Sequence, residues 1–160
     1  MFGFSGRVRA RDQRGAAVVE FALIGTLLMT LVLGIISYGF MLSFRQGMSQ
    51  GAAEGARAVV VGNSSANQTT DAINAVNEAL KAYGVSCSIP SGTTGTLTHA
   101  GSNAGTCSVS VAACLNDAGH QCVKVALAYN YRDHALIPTF PGLGIFLPGN
   151  LNYTANARVS

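Results

Sequence analysis

The chain has 160 residues, 49% of them hydrophobic and only 11% charged, with ten Lys and Arg against seven Asp and Glu for a net charge of +3. That excess sits at one end: residues 1–15 hold Arg7, Arg9, Arg11 and Arg14 against Asp12, which leaves six charges of each sign over residues 16–160. With no basic patch beyond the first residues to neutralise phosphates, nucleic-acid binding is excluded as the meaning of the mildly basic composition.

The first predicted element is a membrane helix. Residues 21–44, FALIGTLLMTLVLGIISYGFMLSF, carry no charge over 24 positions, and about 20 apolar residues cross a bilayer as a helix. The arginines precede this run, which by the positive-inside rule keeps the N-terminus cytoplasmic and exports the chain beyond residue 45. A cleaved secretory signal would have a shorter apolar core, of about 7 to 15 residues, and a small-residue exit. A simple uncleaved anchor fits the run but leaves Glu20 unexplained. A carboxylate within a spanning helix costs roughly 2.5 to 3.5 kcal/mol on insertion scales, so it calls for a partner or an interfacial position.

Beyond the apolar run, Arg45 to Val61 keeps helix formers and contains no proline. A continuous helix from Ala16 to about Val60 would be roughly 65 to 70 Å long. Gly47, Gly51 and Gly55 fall on one face of it and suit close helix packing, either of a head domain onto this helix or of one subunit onto another. Glu54 and Arg57 are spaced to pair along it.

The stretch from Arg14 to Val60, RGAAVVEFALIGTLLMTLVLGIISYGFMLSFRQGMSQGAAEGARAVV, resembles the TadE-like minor pseudopilins of the tight-adherence (Flp-type) pilus machinery. Phe21 after the Glu, and the length of the chain, favour a minor subunit over the short major pilins. The segment Gln50 to Arg57 is similar to the family's Ala/Glu/Gly/Ala/Arg signature after the membrane helix. The resemblance implies that a prepilin peptidase cuts between Gly15 and Ala16 and leaves the helix in the mature subunit. It further implies a structural, non-enzymatic role in pilus assembly, initiation or secretion. The partners would be the peptidase, other pseudopilins or pilins, and an inner-membrane assembly platform. The competing function is a single-pass inner-membrane protein whose periplasmic head binds a secretion or envelope component without entering a filament.

The chemistry of that motif has its own logic. Glycine at the scissile position lets an extended backbone approach catalytic groups closely. Cleavage would free an ammonium on Ala16, and in stacked helices it would neutralise Glu20 of a neighbouring subunit, setting the register together with Phe21. A buried charge is tolerable when paired. The competing role for Glu20 is simply to lie at headgroup level.

The remaining residues, 62–160, read as a small periplasmic head. After a polar breaker at 62–68, a second helix is expected over 70–83, capped by Thr69 or Thr70 and stopped by Gly84. Its stripe of Ile73, Val76, Leu80 and Tyr83 faces a core, with Asn74, Asn77, Glu78 and Lys81 turned away. The Gly/Ser/Thr/Asn tract from Ser86 to Gly105 is expected to be flexible and exposed. Period-two alternation at Val109 and Val111, and at Val123, Val125, Leu127, Tyr129 and Tyr131, predicts an antiparallel hairpin turning at Asn116 to Gly119, and a last strand runs from Leu151 to Val159. The insertion from Leu136 to Asn150, with three prolines, is too apolar for a free loop. It would lie on the bilayer, line a subunit interface or fold under the sheet.

All four cysteines fall in this exported part, where an oxidising compartment favours disulfides over free buried thiols. Of three connectivities the hairpin favours Cys114 with Cys122, leaving Cys87 with Cys107. No Cys-x-x-Cys and no metal-ligand spacing of His99, His120 and His134 point to a metal. No nucleophile elbow or phosphate-cradling motif points to catalysis, to a cofactor or to a small-molecule substrate. The expected fold class is α+β, a pilin-like lollipop. Its parts are a leader over 1–15, a long helix over 16–61 spanning the membrane at about 21–44, and a head with a second helix and an antiparallel sheet.

Overall fold

A computed structural model of the protein describes residues 8–62, 67–114, 117–137 and 147–159. Residues 1–7, the centre of the breaker (63–66), residues 115–116 with the first position of the expected hairpin turn, the middle of the apolar insertion (138–146) and residue 160 lie outside the described residues.

The elements run α1 (Val8–Val61), α2 (Gln68–Leu80), a 3₁₀ turn (Lys81–Tyr83), β1 (Val85–Ser88), β2 (Thr94–His99), β3 (Ser102–Cys114), β4 (Asp117–Tyr129) and β5 (Leu151–Val159). The class is α+β, as expected. The chain divides into two compact units, one ending at Tyr38 and one from Gly39 onward.

In the first unit the part of α1 from Phe21 onward carries no charge, and its large apolar side chains are uncovered. Val18, Phe21, Leu23, Leu27, Leu31 and Ile35 are all more than half exposed. Thr26 and Thr30 donate their hydroxyls to the helix's own carbonyls at Leu23 and Thr26, at 3.0 and 2.8 Å. In hydrocarbon every polar group of this kind must be satisfied internally, as these two hydroxyls are. By length and composition α1 is able to cross a membrane. It begins before the expected Ala16, so the backbone is helical through the Gly15–Ala16 bond.

In the second unit the sheet is a five-stranded antiparallel meander in chain order. Its inner face, carried by Val85, Leu97, Val109, Val123, Val125, Leu127 and Tyr129, is buried together with Met41, Phe44, Met48, Ala52, Ala56 and Val59 of α1 and Ala72, Val76 and Leu80 of α2. Along α1 the spacing of three or four residues between these positions keeps them on one stripe.

Several expectations need correction. The tract from Ser86 to Gly105 is structured: it supplies most of β1, all of β2 and the start of β3. Only Cys87 and Leu97 are fully buried side chains on β1 after Val85 and on β2, so the hydrophobic period is carried by too few residues to be seen. The β2–β3 turn is the pair Ala100–Gly101, both with positive φ, the backbone of a two-residue hairpin turn whose twist matches the strands. Neither Thr69 nor Thr70 caps α2. Both are within the helix, and Asn67 stands at the cap position without a side-chain bond to it. The helix also tightens to 3₁₀ geometry over Lys81–Tyr83 before Gly84 ends it in the left-handed conformation, which glycine adopts without a Cβ clash.

Asp117–Gly119, expected in the hairpin turn, belong instead to β4, and Asp117 already pairs with Cys114. Tyr131 lies beyond the end of β4, though it remains buried. Glu54 and Arg57 are not among the ion pairs of the described residues.

Candidate functional site

The expected site residues fall into three separate places. Gly15, Ala16, Glu20 and Phe21 lie on the first turns of the exposed apolar stretch of α1, with all four side-chain positions open. A Cβ at Gly15 would meet nothing within 4 Å. Glu20 is one helical turn beyond Ala16 on the same face, and a charge partner for it would have to come from outside the chain's described residues.

Gly47, Gly51 and Gly55 form the seat of the head. A Cβ at Gly47 would lie 2.6 Å from the Tyr83 ring, one at Gly51 3.4 Å from Ala79, and one at Gly55 2.9 Å from Val76 and 3.5 Å from Val125. Within the second unit these glycines therefore bring α1 against α2 and β4. Larger side chains at these positions would hold the elements apart.

The seat is locked at its N-terminal end by aromatics. The Phe44 ring packs edge-on against Tyr83 and Tyr129, with centroids 5.1 and 4.9 Å apart, and Phe40 meets Tyr83 at 5.9 Å. The Tyr83 hydroxyl donates to the Ser43 carbonyl at 2.8 Å and shares a second bond with the Ser43 hydroxyl at 2.9 Å. On the other side Arg45 Nε donates to the Tyr153 hydroxyl at 2.8 Å, tying α1 to β5. The Tyr129 hydroxyl donates to the His134 carbonyl. Burial, and then the neighbouring Tyr131, pushes its pKa up to about 12; burial also raises that of Tyr131.

Sequence reasoning missed the polar half of this lock. Asn77, expected to face away from the core, instead clamps β1: the Cys87 amide donates to Asn77 Oδ1 at 2.6 Å, and Asn77 Nδ2 donates to the Cys87 carbonyl at 3.1 Å. Its place one residue after Val76 in the apolar stripe was the available signal. The described C-terminal end of the apolar insertion is tied to Arg132, which precedes the insertion. Arg132 donates through its guanidinium to the Leu147 carbonyl at 3.0 Å and through its amide to that of Gly149 at 3.3 Å.

The third place is the pair of disulfides. Cys87 is bonded to Cys107, with Cα atoms 6.1 Å apart, tying β1 to β3 across the intervening β2. Cys114 is bonded to Cys122, with Cα atoms 5.0 Å apart, near the end of the β3–β4 hairpin. No group of three or more metal-binding side chains occurs among the described residues.

A family model described as TadE-like protein matches residues 15–57. No curated protein and no solved structure matches the chain. The matched segment starts on Gly15, runs through the exposed apolar helix and ends at Arg57, just past the glycine seat, so it takes in two of the three places. Over this segment the chain is similar to TadE-like proteins.

Proposed function

We propose that the chain is a minor pseudopilin of the tight-adherence pilus. In this reading residues 1–15 are a cytoplasmic leader that a prepilin peptidase removes between Gly15 and Ala16. The apolar stretch at about 21–44 anchors the mature subunit in the inner membrane, and the part from 62 onward faces the periplasm. Its role is structural, in priming, joining or capping the filament through contacts with other pilus components. The observation that carries the reading is the family match over residues 15–57, along a helix whose stretch from Phe21 to Phe44 carries no charge.

Physical chemistry supports the details. The arginine-rich start favours a cytoplasmic N-terminus. Two disulfides suit an oxidising compartment for the head. Because α1 is helical through residues 15 and 16, the peptidase must open that turn to reach an extended backbone. Glycine at the site lowers the cost, since it is about 1 kcal/mol poorer than alanine in a helix interior. Once cut, the Ala16 ammonium is the partner proposed for Glu20 of an adjacent subunit.

N-terminal sequencing of protein from cells that contain the peptidase tests this. The expected first residue is Ala16. Recovery of chains that begin at Met1 or Phe2 would overturn the processing step and leave an uncleaved anchor whose head binds another envelope component.

A further inference from the structure

The two disulfides stand in opposite surroundings. Cys87 and Cys107 are 4% and 1% exposed within the core. Cys114 and Cys122 are only half-buried. Cys122 alternates with the buried Val123 and Val125, which places it on the outer face of the sheet. There Cys114, Cys122, Asp117, Lys124 and Arg158 line a concavity of about 500 Å³.

The charges around this bond are uneven. Arg158 is the register partner of Cys122 on β5, and Lys124 lies two residues further along β4 on the same face. Asp117 is the counter-charge of the cluster. Its Oδ2 is 2.7 Å from His120 Nδ1 and 3.6 Å from Arg158 Nη1. From β3 the same face receives Ser110 and Ala112, which carry no charge. Among the described residues, a thiolate on Cys122 would therefore share this concavity with Lys124, with Arg158 and with Asp117, whose carboxylate engages both His120 and Arg158.

We propose that Cys114–Cys122 is a thiol–disulfide exchange site for a dithiol, whereas Cys87–Cys107 is a permanent crosslink. The thiolate of the dithiol attacks Cys114 Sγ and forms a mixed disulfide. The Cys114–Cys122 bond breaks, and its electron pair remains on Cys122 Sγ as a thiolate beside Arg158 and Lys124. The second thiol of the dithiol loses its proton to solvent and attacks its own sulfur in the mixed disulfide, releasing Cys114 as a thiolate. Two electrons pass to the protein and the dithiol leaves as a disulfide; the reverse sequence re-oxidises the site. Exchange is fastest where the leaving thiol is acidic and the bond accessible, and neighbouring cations lower a thiol's pKa.

The fold tolerates the opening. The β3–β4 ladder continues from Ala113↔Gln121 to Gly105↔Tyr129 without help from this bond. The crosslink closes a separation of only 8 residues against 20 for the other, so its release frees less chain entropy. None of this depends on leader processing or on entry into a filament.

The test uses the full-length protein in detergent micelles, treated with dithiothreitol, quenched at intervals with N-ethylmaleimide and read by peptide mass spectrometry. Cys114–Cys122 is expected to open at least about tenfold faster than Cys87–Cys107. A Lys124→Gln/Arg158→Gln variant is expected to slow that opening by about threefold or more, as a rise of one unit in the leaving thiol's pKa predicts, with the rate at Cys87–Cys107 unchanged. Lys124→Gln alone gives a smaller slowing in the same direction and serves if the double variant fails to fold. Equal rates for the two bonds would overturn the proposal. So would an unchanged Cys114–Cys122 rate in the folded charge variants, because exposure alone would then account for the difference.

Discussion

Replacing the three seat glycines with alanine one at a time should give three different outcomes, and their order can be worked out from the packing. Alanine is better than glycine in a helix interior by about 1 kcal/mol. At Gly51 the added methyl would meet Ala79 Cβ at 3.4 Å and the Val76 carbonyl at 3.7 Å, which is ordinary contact. Gly51→Ala should therefore stabilise the head by up to about 1 kcal/mol, worth about 4 °C in Tm for a unit of this size. At Gly55 the methyl would meet Val76 Cγ2 at 2.9 Å and the Ala72 carbonyl at 3.2 Å, and that carbonyl is held in α2. Overpacking of this kind costs about 1–3 kcal/mol, so Gly55→Ala should be neutral or lower Tm by several degrees. At Gly47 the methyl would press on the Tyr83 ring at 2.6 Å. That ring is held by two hydrogen bonds to Ser43 and by edge contacts with Phe40 and Phe44, so Gly47→Ala should be the most destabilising of the three. Circular-dichroism melts of the oxidised, detergent-solubilised full chain decide the matter. A Gly51→Ala variant that melts as low as Gly47→Ala, or three variants that melt alike, would refute the claim that these glycines seat the head.

Glu20→Ala should insert in the membrane normally and lose piliation; wild-type pilus numbers in that strain would remove the pairing role proposed for the carboxylate. The raised pKa of Tyr129 gives a signed pH dependence. The neutral phenol is favoured in the fold, so its stabilisation is complete below about 10 and is lost as pH rises from 10 towards 12. A Tyr129→Phe variant should show a shallower loss of Tm over that window, and an identical loss would contradict it. Asn77→Leu removes both bonds to the Cys87 backbone and should cost about 1–3 kcal/mol in a urea melt. Removal of the core crosslink by Cys87→Ala with Cys107→Ala should cost about 3 kcal/mol for a separation of 20 residues.

Legibility in the sequence tracked the number of buried side chains per element. β4 was readable because Val123, Val125, Leu127 and Tyr129 alternate without interruption, and all four prove to be buried. The long helix was readable because an uncharged run of that length has few other solutions. β1 and β2 were not readable: Ser86, Ser88, Thr94 and Thr96 face water, and β1 and β2 are held mostly by backbone pairing that composition does not advertise. The end of α2 was marked by Gly84, but its start was not. Thr69 and Thr70 look like caps and are helical residues instead, because the chain has already turned at Asn67. Of the candidate site, the processing motif was visible as a pattern and the glycine row as a spacing. The Asn77 clamp and the Tyr83–Ser43 bonds join residues whose relation exists only after folding.

The core of the second unit draws Met41, Phe44, Met48, Ala52, Ala56 and Val59 from α1, which has a practical consequence for preparing the head without its membrane stretch. A fragment cut at the end of α1, near Gly62, would leave the inner face of the sheet and the buried stripe of α2 without the helix they pack on, and should aggregate. A fragment that begins at Gly39 keeps the whole packed unit and leaves behind the uncovered apolar turns. The natural place to divide this chain for solution work is therefore inside the helix, a little more than halfway along it, and not at the loop where the helix ends.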